Sequence, residues 1–74
     1  MNKLAMYLER ERITKQEFGR RIGVSRTTVS RYCHGHHAPG WHVMPRIEAE
    51  TKGFVTYRDF YDDVVARVID AVQP

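Results

Sequence analysis

Three groups of residues in this chain of 74 have types and spacings that could do chemistry. The first is Cys33-His34-Gly35-His36-His37, followed by His42. Cysteine and histidine are the preferred ligands of zinc, but this spacing matches no paired zinc motif, and Cys33 faces inward if the residues before it are helical. No metal site is expected. The second group, Asp59, Asp62, Asp63 and Asp70, could be imagined as paired catalytic acids. On a terminal helix the same residues form a solvated face and favourable charge near the N-terminus. No nucleophile stands with a base and no glycine-rich loop could cradle a phosphate, so neither catalysis nor a cofactor is expected. The third group is Arg26, Thr27, Ser30 and Arg31, with His34 beyond it. At about 100° per residue these positions share one side of a helix. That side is polar and has no acid. An arginine can donate two hydrogen bonds to guanine and a threonine methyl can touch thymine, so the face suits the major groove of double-stranded DNA.

A face of this kind needs a helix held at a fixed angle, and the flanking residues supply one. Thr14 and Ser25 can each cap a helix by accepting a backbone N–H bond. Glu17, three residues after Thr14, can reach back to complete a capping box, with Ile13 and Phe18 placed as a hydrophobic staple. The same arrangement recurs at Val24, Ser25 and Val29, with Thr28 in the glutamate position, and at Val55, Thr56 and Phe60, with Asp59 there. Gly23, Gly35 and Gly53 can adopt the left-handed conformation that ends a helix. Leu4, Ala5 and Leu8 mark an amphipathic first helix over about 3–12. A short fourth helix should carry Met44, Ile47 and Thr51 on one side, with Pro45 in its first turn. A fifth should run over about 57–71, because Val64, Val65, Val68 and Ile69 cluster at a period near 3.6 and do not alternate. Gly23, Val24 and Ser25 alone separate the second and third helices, forcing a steep crossing with Phe18, Ile22, Val24, Val29 and Tyr32 in the angle.

Charge is divided along the chain. Residues 1–46 hold nine Lys and Arg against three Glu, whereas residues 47–74 hold three against six Glu and Asp. The basic part points to an anionic partner. No run reaches the roughly 20 apolar residues of a membrane span, and the opening Met-Asn-Lys-Leu-Ala lacks the apolar stretch of a secretory signal. A single cysteine forms no intrachain disulfide. A soluble, cytoplasmic, nucleoid-associated protein without a small-molecule ligand is expected, organised as one domain over 1–74.

The run from Ile13 through Thr14-Lys15-Gln16-Glu17-Phe18-Gly19-Arg20-Arg21-Ile22-Gly23-Val24-Ser25-Arg26-Thr27-Thr28-Val29-Ser30-Arg31 to Tyr32 resembles the helix-turn-helix of the XRE family, which includes the phage repressors and Cro proteins. Further on, Gly35, Pro39 and the residues from Ile47 to Phe60 resemble its Cro-like regulators. The resemblance implies an all-α, five-helix domain of lambda-repressor-like type with a central helix-turn-helix and a long C-terminal helix. It also implies that Lys15 and Gln16 hold the DNA backbone while Arg26, Thr27 and Arg31 read bases. Ser30 lies on the same reading face, and Ser25, His34 and His36 stand beside it as further backbone contacts. The sequence departs from the family at Lys15, where Gln is usual, and at Gly19, where Ala is usual.

The fifth helix carries more apolar surface than a core of this size needs. Phe60, Val64 and Val68 form one row, expected to face the core; Tyr61, Val65, Ile69 and Val72 form the next, expected to meet a second copy in a homodimer. Trp41 reads as a hydrophobic plug under the loop 34–42, or else as an exposed contact for a partner or DNA. Two functions compete: a repressor or Cro-like regulator occupying an inverted-repeat operator as a homodimer, and an antitoxin or co-regulator whose fifth helix binds another protein while DNA binding serves autoregulation. A metal-dependent sensor using Cys33 and the histidines is a third, weaker reading.

Overall fold

The computed structural model describes residues 2–60. It contains α1 (Lys3–Glu11), α2 (Lys15–Ile22), α3 (Arg26–Cys33) and α4 (Met44–Glu50), and the backbone turns helical again at 58–60. Among the described residues there is no strand. Most of the expected fifth helix, with Val64, Val68 and the dimer row Tyr61, Val65, Ile69 and Val72, lies outside the described residues, as do Asp62, Asp63 and Asp70.

Local chemistry sets each helix boundary. The side chain of Asn2 caps α1 by accepting the Ala5 N–H at 3.0 Å. At the other end Arg12 takes a left-handed backbone, φ 56°, one residue earlier than a helix over 3–12 requires. Thr14 caps α2, its hydroxyl accepting the Glu17 N–H at 3.0 Å. The return half of this capping box is not made. The Glu17 carboxylate instead accepts from Arg20 Nε at 2.8 Å and Arg21 Nε at 3.3 Å, because arginines three and four residues on stand on the same helix face. Gly23 ends α2 at φ 81°, donating its N–H to Gly19 O at 2.8 Å. Ser25 caps α3 by accepting the Thr28 N–H at 3.2 Å. The third occurrence of the pattern makes the opposite half of the box: Asp59 Oδ2 accepts the Thr56 N–H at 2.7 Å.

The core lies where α2 packs against α3 and α4, with α1 laid on α3. Leu4, Phe18, Ile22, Val29 and Ile47 are fully buried, with Ile13 and Val24 packed partly against them. Met44 and Ile47 face this core from α4, and Pro45 occupies its first turn. Thr51 is buried with its hydroxyl satisfied twice: it donates to Ile47 O at 2.8 Å and accepts the Val55 N–H at 3.1 Å. The Tyr7 hydroxyl donates to Glu50 O at 3.2 Å, joining α1 to the end of α4. Phe60 is buried, its ring edge-on to Tyr32 at 6.2 Å, as expected for a core-facing residue.

Trp41 corrects the reading of the loop. It is 84% exposed and plugs nothing. Pro39 and Val43, two residues to either side, are the buried ones, while Gly40, Trp41 and His42 between them are all exposed. None of the helices among the described residues is long and apolar enough to cross a membrane.

Candidate nucleic-acid interface

The angle between α2 and α3 is fixed by a close approach at Gly19. A Cβ there would lie 2.5 Å from the Val24 carbonyl oxygen and 3.3 Å from Val29 Cγ2. The obstacle is backbone, which cannot swing aside as a flexible side chain can. The Gly19 carbonyl also accepts the N–H groups of both Gly23 and Val24, at 2.8 and 2.9 Å. Even the usual alanine is too large for a turn wound this tightly, which outweighs the roughly 1 kcal/mol that glycine costs inside a helix. From α4, Arg46 Nη1 donates to Ile22 O at 3.3 Å and supplies a partner to the end of α2. Sequence reasoning missed this strut because its two residues are 24 apart.

Helix α3 turns Val29, Tyr32 and Cys33 inward. Burial pushes the Cys33 thiol above its usual range, opposed by the charge of Lys15. Thr28 is half-buried, and its hydroxyl lies 3.0 Å from that of Ser25. Arg26, Thr27 and Arg31 are exposed together; Ser30 is half-buried at the edge of their face. The His34 ring donates from Nδ1 to Ser30 O at 2.7 Å, capping the end of α3. With that nitrogen engaged, the other ring nitrogen can donate to a phosphate only from the protonated imidazole. The ring also stacks on that of His36, with centroids 6.0 Å apart and planes within 14°. Lys15 is half-buried in the first turn of α2, and Gln16 beside it is exposed. The Ser25 oxygen is already committed to its cap.

Charge pairing separates the arginines of the two helices. Glu17 binds Arg20 and Arg21, and Arg21 also approaches Glu50 at 3.8 Å. The hydrogen bond from Arg20 is the main reason the Glu17 carboxyl is lowered to about 2. Among the described residues Lys15, Arg26 and Arg31 have no acid within ion-pair distance. This pairing was within reach of the sequence, since Glu17 with arginines at i+3 and i+4 is a helix ion-pair pattern. Among the described residues no three of His, Cys, Asp and Glu stand close enough to share a metal ion.

The arrangement offers, among the described residues, two guanidinium groups without an acid partner and the Thr27 hydroxyl on the exposed face of α3, with the likewise unpaired Lys15 ammonium at the start of the helix before it. No curated protein and no solved structure shows significant similarity to the chain. A family model described as a helix-turn-helix domain matches residues 2–47, more than half of the chain, covering α1 to α3 and the first turn of α4. The chain belongs to the helix-turn-helix DNA-binding family of XRE and Cro-like type.

Proposed function

We propose that the chain is a transcriptional repressor that reads an inverted-repeat operator as a homodimer in the nucleoid. In this reading α3 enters the major groove with Arg26, Thr27, Ser30 and Arg31 toward base edges. Lys15 and Gln16 hold the backbone, with Ser25, His34 and His36 flanking them, and Tyr61, Val65, Ile69 and Val72 join two copies. The observation that carries it is the α3 face itself, exposed and basic without an acid paired to it. One such helix covers only a few base pairs, so two copies are needed to mark a unique site.

Selection of bound duplexes from a random library tests specificity and symmetry together. The expected product is an inverted repeat whose half-site centres lie about 10 base pairs apart, or a multiple of that. Unselected duplexes binding as well as selected ones would remove the specificity; selected single half-sites would remove the dimer. Joint replacement Val65→Glu and Ile69→Glu should leave a helical monomer by sedimentation and circular dichroism, bound weakly to a half-site.

A further inference from the structure

One face of α1, carrying Asn2, Ala5, Leu8 and Glu9, lines a cavity of about 770 Å³. The turn at 13–15 and the end of α3 at 33–35 supply the rest of its wall. Pockets for small molecules commonly measure about 300–1,000 Å³. The small side chain of Ala5 leaves room between Asn2 and Leu8, and the Asn2 amide is held to the Ala5 N–H and to Tyr32 O. Apolar contact is offered by Ala5, Leu8 and Ile13, with the Cys33 thiol. Ala5 and Ile13 are only half-buried, so this wall keeps apolar surface open.

Two opposite charges border the same space, Glu9 and Lys15. Among the described residues Glu9 has no base and Lys15 no acid within ion-pair distance, and the two do not pair with each other. The charge of Lys15 is felt by the Cys33 thiol, which lines the cavity with it. An apolar wall bordered by an unmatched anion and an unmatched cation is complementary to a zwitterion with an apolar substituent. A bare carboxylate would meet Lys15 but stand against the charge of Glu9, and a bare amine would suffer the reverse.

We propose that this cavity binds a free α-amino acid with a large apolar side chain. Its carboxylate lies on Lys15, its ammonium on Glu9 and its side chain against Ala5, Leu8 and Ile13. The site stands without the DNA reading, whereas its consequence rests on the assignment of Lys15 to the DNA backbone. A Lys15 ammonium held by the ligand carboxylate is lost to phosphate, so the occupied protein binds DNA more weakly. By linkage, DNA weakens the amino acid by the same factor.

Calorimetric titration of the full chain with L-phenylalanine tests the site in the absence of DNA. A one-to-one complex is expected, with a melting temperature that rises with amino-acid concentration. Hydrocinnamate, which lacks the ammonium, and phenethylamine, which lacks the carboxylate, should each bind about tenfold more weakly or worse. Glu9→Gln should weaken L-phenylalanine by a similar factor, leave hydrocinnamate no weaker and leave the melt of the free chain unaltered, since Glu9 is exposed. Ala5→Leu should fill the cavity and abolish binding, with circular dichroism reporting that the chain is folded. Failure of the wild type to bind overturns the proposal, as does equal binding of hydrocinnamate or binding that a folded Ala5→Leu variant retains. In anisotropy of a labelled duplex, saturating L-phenylalanine should lower affinity for selected and random duplexes about tenfold and flatten the salt slope by about one unit. An amino acid that binds without changing DNA affinity overturns the part given to Lys15. A chain that binds L-phenylalanine but no duplex removes the α3 reading and leaves the site standing.

Discussion

Two pairs of arginines on adjacent helices meet opposite fates. Arg20 and Arg21 near the end of α2 are clamped by Glu17, whereas Arg26 and Arg31 on α3 are exposed with no acid paired to them among the described residues. Counted as charge, the two pairs are equal. On the proposed reading a basic stretch serves as a DNA-binding face where its positive charge is uncommitted, and here a single glutamate on α2 divides the stretch in two. Attraction to phosphate follows free cations, so α3 and Lys15 should dominate the salt dependence of binding while α2 contributes little.

The strongest way to break this contrast is to disturb the turn that separates the helices. Gly19→Ala sets a methyl against the Val24 carbonyl, and overpacking of this kind costs about 1–3 kcal/mol. The melting temperature should fall by about 4–8 °C per kcal/mol, with operator affinity falling alongside. An unchanged melt would mean that the turn relaxes freely. A narrower comparison sets Arg31→Ala against Arg20→Ala. The first should cost about 1–3 kcal/mol on the selected operator and relax base preference at one position per half-site. The second should change base preference nowhere; equal relaxation by both would erase the distinction between the faces. The mildest intervention is Glu17→Gln, which frees Arg20 and leaves Arg21 only its contact with Glu50, while keeping the shape of the side chain. Affinity for random duplexes should rise and the salt slope should steepen by about one unit if the freed Arg20 reaches phosphate. An unaltered slope would show that α2 faces away from the backbone.

The same carboxylate gives a small pH signature. Its folded pKa, lowered to about 2, lies below its ordinary value of 4.5, so its contribution to stability is fully present above 4.5 and disappears as pH falls toward 2. Contact with solvent keeps that contribution small. Urea unfolding of wild type and Glu17→Gln between pH 5 and about pH 2.5 should converge as acid is added, and a constant gap would place the effect elsewhere.

Helix starts and stops were legible because their causes are local. Thr14, Ser25 and Gly23 act within four residues of themselves, and Pro45 fits only a first turn. The exposure of Arg26, Thr27 and Arg31 followed from helical period alone. What escaped was set by competition or by distance. Glu17 had two possible partners, and a pair of guanidinium groups outmatched one backbone N–H. For Trp41 the sequence leaves a plug and an exposed contact both open, because hydrophobicity ranks it above Pro39 and Val43, the residues that the loop buries. The bonds from Tyr7 to Glu50 and from Arg46 to Ile22 join residues 43 and 24 apart, and no local pattern announces them.

Asn2 does two things at once. Its oxygen caps the start of α1, and its amide nitrogen donates to Tyr32 O in the last turn of α3. Each helix end would ordinarily fray alone, at almost no cost in free energy. Here the first turn of α1 cannot open without stripping a partner from the carbonyl of α3, so the two ends share one opening event. In hydrogen exchange the amides of Ala5 and of the α3 C-terminus should therefore behave as a single cooperative unit. The far end of α3 thus gains a partner from a residue thirty positions before it in the chain.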